Sequence, residues 1–164
     1  MIKLLIFDVD GTLTSGAITY DSNGVESKSF DVKDGMAIAS WTKKFNLDAA
    51  IITGRTSTIV QKRANELGIQ HLHQGIHNKD EVIDSILKKL NITWKNVACI
   101  GDDLNDYKML KKCKISFCPN DAVNTIKEIS NIVCTSNGGH GAAREMIEYI
   151  LEYNNMDELK SLWV

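Results

Sequence analysis

Short apolar runs alternate with amphipathic stretches of helical period along almost the whole chain. The runs Lys3–Phe7, Leu47–Thr53, Ile69–Gln74, Asn96–Gly101, Ile115–Cys118 and Asn131–Thr135 have strand length and are bounded by turn residues. They do not strictly alternate apolar with polar, which suits strands covered on both faces. Between them, Asp34–Asn46 carries Met36, Ile38, Ala39, Trp41 and Phe45 at helical spacing. Thr56–Leu67 carries Ile59, Val60, Ala64 and Leu67 and stops at Gly68, as a helix C-terminus does. Lys79–Leu90 places Val82, Ile83, Ile86, Leu87 and Leu90 on one face, and Gly141–Tyr153 does the same with Met146, Ile147, Ile150 and Leu151. Alternation of this kind needs right-handed crossovers, so it predicts an α/β fold: a Rossmann-like, doubly wound parallel sheet.

One segment departs from the pattern. Ala17–Tyr20 and Val25–Phe30 are strand-like and meet through Asp21-Ser22-Asn23-Gly24. Asn-Gly between such runs signals a hairpin, so a β-hairpin flap is expected over about residues 14–30, directly after the first strand. The chain has one proline, Pro119, and no low-complexity tract to act as a linker. Its 164 residues therefore read as a single domain, 1–164, on a prior of roughly 150 residues per domain.

Composition removes several function classes. The net charge of −2 gives no electrostatic case for a nucleic-acid or membrane-surface partner. No apolar run approaches the roughly 18 residues of a membrane span. The start, MIKLLIFDVDG, lacks a secretory apolar region and cleavage site, which points to the cytoplasm. Cys99, Cys113, Cys118 and Cys134 form no C-x-x-C pair and read as small, reduced core residues.

Ligands of open α/β sheets bind beyond the carboxyl ends of the strands. There the sequence offers Asp8-Val9-Asp10-Gly11-Thr12, then Thr53-Gly54-Arg55, then Lys79 at a helix start, then Gly101-Asp102-Asp103-Leu104-Asn105-Asp106. Either acidic cluster alone is ordinary turn and cap chemistry. Together they crowd carboxylates that repel without a cation, and oxygen-only ligands suit Mg²⁺. A calcium EF-hand is excluded, because Gly11 comes too early and Thr19 stands where the closing glutamate belongs.

These segments resemble, in order, the four motifs of the haloacid dehalogenase superfamily of phosphohydrolases. Asp10, the second aspartate, is the one that phosphatases have and dehalogenases lack. The resemblance implies that Asp8 is the nucleophile, forming an aspartyl-phosphate, and that Asp10 is general acid and then general base. It implies Mg²⁺ on Asp8, the Asp10 carbonyl and Asp102, with Thr53 and the Gly54 amide on the phosphoryl oxygens and Lys79 as a fixed charge. Asp103 and Asp106 are expected behind these, orienting Lys79 and metal-bound water.

Superfamily members generally carry a cap, inserted in the flap or between the second and third motifs. Both intervals are short here, so the chain is expected to be capless. Phe30-Asp31-Val32-Lys33-Asp34-Gly35-Met36, Gln74-Gly75-x-x-x-Lys79 and Gly138-Gly139-His140-Gly141-Ala142-Ala143-Arg144-Glu145 resemble the capless branch acting on 3-deoxy-D-manno-octulosonate 8-phosphate in lipopolysaccharide synthesis. That branch implies a homotetramer whose neighbouring subunits complete each site. Relatives acting on nine-carbon keto-deoxy or sialic acid 9-phosphates remain the alternative, although Arg55 and Glu66 stand where that group carries a glutamate and a lysine. A non-catalytic partner of a sugar-nucleotide synthase is a second alternative. A phosphoryl-receiver domain is a third, but its third strand would need an aspartate where this chain has His71 and His73.

The implied substrate is doubly anionic, so Lys33, Arg55, Arg63, Lys79, His140 and Arg144 are the candidate cations. His140 stands where the octulosonate enzymes often carry Arg or Lys, and it holds a carboxylate well only when protonated. The apolar tail with Leu159, Leu162 and Trp163 is expected to pack on its own domain or a neighbour.

Overall fold

Successive residues of a strand face opposite sides of a sheet, and here both sides are apolar. The computed structural model describes residues 1–156, so the expectation for the tail concerns residues outside the described ones. The strands are β1 (Leu4–Phe7), β2 (Thr19–Tyr20), β3 (Glu26–Ser27), β4 (Asp48–Ile52), β5 (His71–His73), β6 (Val97–Ile100), β7 (Ile115–Cys118) and β8 (Ile132–Val133). The helices are α1 (Val32–Ala39), α2 (Thr58–Leu67), α3 (Lys79–Leu90), α4 (Tyr107–Lys112), α5 (Asn124–Ile129) and α6 (Ala142–Tyr153). Six strands form one parallel sheet in the order β5-β4-β1-β6-β7-β8. Numbered by appearance within that sheet, the order is that of the doubly wound dinucleotide-binding fold, with its switch point between β1 and β6.

Parity sorts the strand residues into two cores. Leu5, Phe7, Ala49, Ile51, Ala98, Ile100 and Phe117 pack under α1, α2 and α6. Leu4, Ile6, Ala50, Ile52, Val97 and Cys99 pack on the other face under α3, α4 and α5. Side chains cap two of the helices, α1 and α2. Asp31 caps α1 by accepting from the amides of Lys33 and Asp34. Gly68 closes α2 in the left-handed conformation, and Ser57 opens it. Trp41 lies beyond α1 in a wide helical turn, Ser40–Lys44, and its Nε1 donates to the Asp48 carbonyl at 2.9 Å, tying this turn to the start of β4.

The predicted sheet, its four long helical stretches and the hairpin after the first strand are all present, with two differences of detail. The hairpin pairs only Thr19 with Ser27 and Tyr20 with Glu26, so its strands are shorter than the apolar pattern implied. α4 and α5 were not anticipated. Each has six residues, too few to display a helical period, and each owes its place to burying Met109, Leu110 or Ile126 against the sheet.

Two contacts set the floor of the site. The buried Asp34 carboxylate on α1 accepts from the amides of Arg144 (2.8 Å) and Gly141 (3.3 Å), which fixes the entry of α6. This seats Gly138 and Gly139 on the loop after β1, where the Gly139 amide donates to the Thr12 carbonyl at 2.9 Å. A Cβ on Gly138 would collide with the Gly11 carbonyl. Gly138→Ala is therefore expected to cost about 1–3 kcal/mol by overpacking, read as a lower unfolding midpoint in urea, and to displace the loop carrying Asp10.

Candidate active site

Asp8 directly follows the end of β1, and Asp10 lies two residues further on. The Asp8 amide donates to the Ile100 carbonyl of β6 at 3.1 Å, extending the parallel register to the switch point. Immediately beyond, the Val9 carbonyl accepts from the amides of Thr12, Leu13 and Thr14, so the chain coils tightly above β1. Gly11 is required in this coil. Its φ is +96°, and a Cβ there would strike the Asp102 carboxylate. Thr12 Oγ1 holds Asp102 Oδ1 at 3.2 Å, bringing the acid that follows β6 against the loop that follows β1.

Lys79, the first residue of α3, reaches under this pair. Its Nζ lies 2.5 Å from Asp8 Oδ1 and 2.6 Å from Asp106 Oδ1, and the three side chains are almost wholly buried. The second oxygen of Asp106 accepts from the amides of Asp102 (3.0 Å) and Asp103 (3.4 Å). Asp106 is thus fully engaged as an anchor. Asp8, Asp102 and Asp106 each offer an oxygen within 4.8 Å of the others. Because Asp106 is committed to Lys79 and two amides, Asp8 and Asp102 are the carboxylates left to hold a divalent cation, and an all-oxygen set suits Mg²⁺. The titration of these groups reflects the same demand. Burial, and then the neighbouring Asp106, push the Asp8 carboxyl up to about 8. Burial and Asp106 likewise raise Asp102 to about 7. Burial acts to lower the Lys79 pKa, but the charges and hydrogen bonds of Asp8 and Asp106 together outweigh it and raise the pKa, so Lys79 stays charged.

Asp10 sits apart from this cluster, half-buried, and meets the hairpin. Lys28, just past β3, has a side chain only 2% exposed and pairs with Asp10 Oδ1 and, at 3.2 Å, with Glu26. Arg55, beyond β4, donates to Glu26 at 2.9 Å and lies 4.0 Å from Asp10 Oδ2. Lys28 was not among the residues singled out from sequence. The signal was present: Glu26 and Lys28 are two apart beside a hairpin turn, so they share a face.

The structure gathers Asp8, Lys79, Asp102 and Asp106 into one cluster, with Asp10 and Arg55 at its mouth. Thr53 is buried at the end of β4, its amide bonded to the His73 carbonyl, and Gly54 follows it in an exposed turn. Other candidates lie elsewhere. Asp103 is exposed and caps the short turn Leu104–Asp106 through the Leu104 amide, rather than reaching Lys79. Lys33 and His140 line an open hollow with Arg144, where His140 Nδ1 meets the Gly138 carbonyl at 2.8 Å. Arg63 lies over the Phe30 ring and pairs with Glu66. Among the described residues, Lys33, Arg63 and His140 make no hydrogen bond or ion pair to the acidic cluster.

Comparison with known proteins agrees with this geometry. A family profile described as haloacid dehalogenase-like hydrolase matches residues 72–146. A 3-deoxy-D-manno-octulosonate 8-phosphate phosphatase of Salmonella typhi is 41% identical over 160 residues, covering 97% of this chain and 85% of that protein. The crystal structure of such a phosphatase from Moraxella catarrhalis, in complex with magnesium, phosphate and KDO, superposes with a TM-score of 0.93 at 39% identity, covering 99% of this chain and 94% of that one. The cobalt-bound enzyme of Haemophilus influenzae gives a TM-score of 0.86 at 37% identity, covering 92% and 88%.

The raised carboxyl groups make a pH prediction. Without a cation, folded Asp8 and Asp102 hold protons that the unfolded chain releases near its ordinary carboxylate range. Stability from these groups is greatest below that range and falls as pH rises toward about 7 and 8. A divalent cation binds the ionised forms and reverses the loss. The Tm gained on adding saturating Mg²⁺ is therefore expected to be larger at pH 8 than at pH 5.5, and Asp102→Asn is expected to shrink that difference.

Proposed function

The chain belongs to the haloacid dehalogenase-like hydrolases, in the family of the 3-deoxy-D-manno-octulosonate 8-phosphate phosphatases, and we propose that it hydrolyses that sugar phosphate through an aspartyl-phosphate on Asp8. The observation that carries the mechanism is the buried Lys79 between Asp8 and Asp106, with Asp10 two residues beyond Asp8. Lys79 fixes one Asp8 oxygen, leaving the other to attack phosphorus in line. The bond from phosphorus to the sugar oxygen breaks, and Asp10 gives that oxygen its proton. Asp10 then takes a proton from the water that hydrolyses the aspartyl-phosphate. Thr53 and the Gly54 amide are proposed to hold phosphoryl oxygens. Asp8, the Asp10 carbonyl and Asp102 are proposed to hold Mg²⁺, which when bound offsets the charge of carboxylate and phosphate.

Arg55 is proposed to meet the anionic sugar at the mouth of the site, while Lys33, Arg63 and His140 stay as candidates with other neighbours in this structure. A homotetramer is proposed in which a neighbouring subunit covers the site. The hairpin supports this reading, since Ile18, Tyr20 and Val25 are about half exposed or more beside the site. The cysteines of the described residues are all free, which suits a cytoplasmic setting.

Phosphate release from a panel of 2-keto-3-deoxy sugar acid phosphates tests the substrate. The eight-carbon 8-phosphate is expected to lead; a tenfold preference for a nine-carbon 9-phosphate would overturn the assignment in favour of the alternative. Asp8→Asn is expected to lower kcat on the order of 10³-fold or more, as loss of a nucleophile does. In sedimentation the active species is expected at four chains.

A further inference from the structure

The mechanism above uses Asp10 but leaves unexplained what aims its carboxyl group. Aspartate at a loop apex has several rotamers of similar energy, and a misplaced acid loses most of its effect. Among the described residues, Asp10 Oδ1 is taken by Lys28, whereas Oδ2 has only Arg55 Nε, 4.0 Å away. One oxygen is therefore anchored and the other is left for chemistry.

The anchor is itself built. The Lys28 side chain is almost covered, in a residue half-buried as a whole, and an ammonium with little access to water is stable only when paired. Glu26 supplies a second partner at 3.2 Å, and Arg55 in turn holds Glu26 at 2.9 Å. Asp10, Lys28, Glu26 and Arg55 thus alternate in charge from the loop after β1, through the hairpin, to the loop after β4. Lys28 keeps a carboxylate partner in Glu26 whether Asp10 has given up its proton or not. A pair that only pinned the hairpin would need neither the burial nor the second carboxylate.

We infer that Lys28 is the positioning residue for Asp10, holding Oδ1 so that Oδ2 faces the leaving oxygen, and that Glu26 holds Lys28 in place. This rests on the reading of Asp10 as general acid. When the P–O bond breaks, its electron pair stays on the sugar oxygen, which takes the proton from Asp10 Oδ2. An alkyl phosphate needs that proton, whereas 4-nitrophenyl phosphate expels a stable phenolate without it.

The test compares kcat/KM for 3-deoxy-D-manno-octulosonate 8-phosphate and 4-nitrophenyl phosphate, because kcat/KM reports the step that expels the leaving group. In Lys28→Met the ratio of sugar phosphate to aryl phosphate is expected to fall about 30-fold, a large part of what a general acid supplies. Glu26→Gln is expected to lower the same ratio by a smaller factor, which keeps the test open if Lys28→Met folds poorly. Added to Asp10→Asn, Lys28→Met is expected to lower the ratio no further. Equal losses on both substrates, or additive losses in the double variant, would overturn the inference and leave Lys28 a purely structural pair. Asp10→Asn separates the two levels: if it leaves the ratio unchanged, the reading of Asp10 as general acid fails whatever Lys28 does, and if it lowers the ratio that reading stands and Lys28→Met alone decides on Lys28.

Discussion

Lys79 is a cation buried at the first turn of a helix, where the helix dipole opposes it, and it is held there by two carboxylates. Removing either partner would leave charge uncompensated in a place with little access to water. The contact joins three pieces of chain that are distant in sequence: the end of β1, the start of α3 and the turn after β6. It fixes Asp8 in direction, and it fixes Asp106, whose other oxygen in turn orders the amides of Asp102 and Asp103. Three carboxylates face one ammonium, so the cluster carries an excess of two negative charges if all ionise. The raised Asp8 and Asp102 groups show that the fold does not offset that excess by itself. A divalent cation closes the balance, and its charge is the one the arithmetic asks for.

Such crowding needs backbone that can approach closely. A Cβ on Gly11 would strike Asp102, one on Gly101 would strike Asp106, and one on Gly138 would strike the Gly11 carbonyl. These three glycines let the loops after β1 and β6 and the approach to α6 stack at the switch point of the sheet. The doubly wound order supplies the crevice, and the glycines let carboxylates from adjacent strands fill it.

Much of this could be read from residues. β1, β4, β6 and β7 announce themselves as apolar runs because both faces are covered, and α3 has the bounds its period predicts. Asp8 and Asp10 are legible as a pair from their spacing, but the chain coils at Val9 rather than running on extended, so Asp8 meets Lys79 while Asp10 turns to Lys28. What sequence did not carry has identifiable causes. α4 and α5 are shorter than two helical turns and hold their form through packing, not pattern. Asp103 and Asp106 belong to one short motif, yet only Asp106 turns inward, since Asp103 is used to cap the turn between them. Lys33, Arg63 and His140 have neighbours other than the acidic cluster in this structure, and charge or motif position alone does not say which surface a side chain meets. Lys28 was overlooked for the converse reason: a lysine in a hairpin normally reads as solvated, and only tertiary contact with Asp10 shows it buried.

Asp8 and Asp10 therefore illustrate how two carboxylates two residues apart come to differ. Asp8 faces inward, gripped by Lys79 from the first turn of α3 and pressed by Asp102 and Asp106. Asp10 faces outward, gripped by Lys28 from a hairpin and reached by solvent on its remaining side. The interior contact belongs to elements whose packing defines the fold, so Asp8 can be rigid without further help. The exterior contact belongs to a hairpin whose two strands pair over only two residues each, and it is carried by a charge-alternating chain of its own. Environments that push paired acids apart are what allow one to attack while the other exchanges protons. In this chain the division is made by which element supplies the lysine, α3 for Asp8 and the hairpin for Asp10.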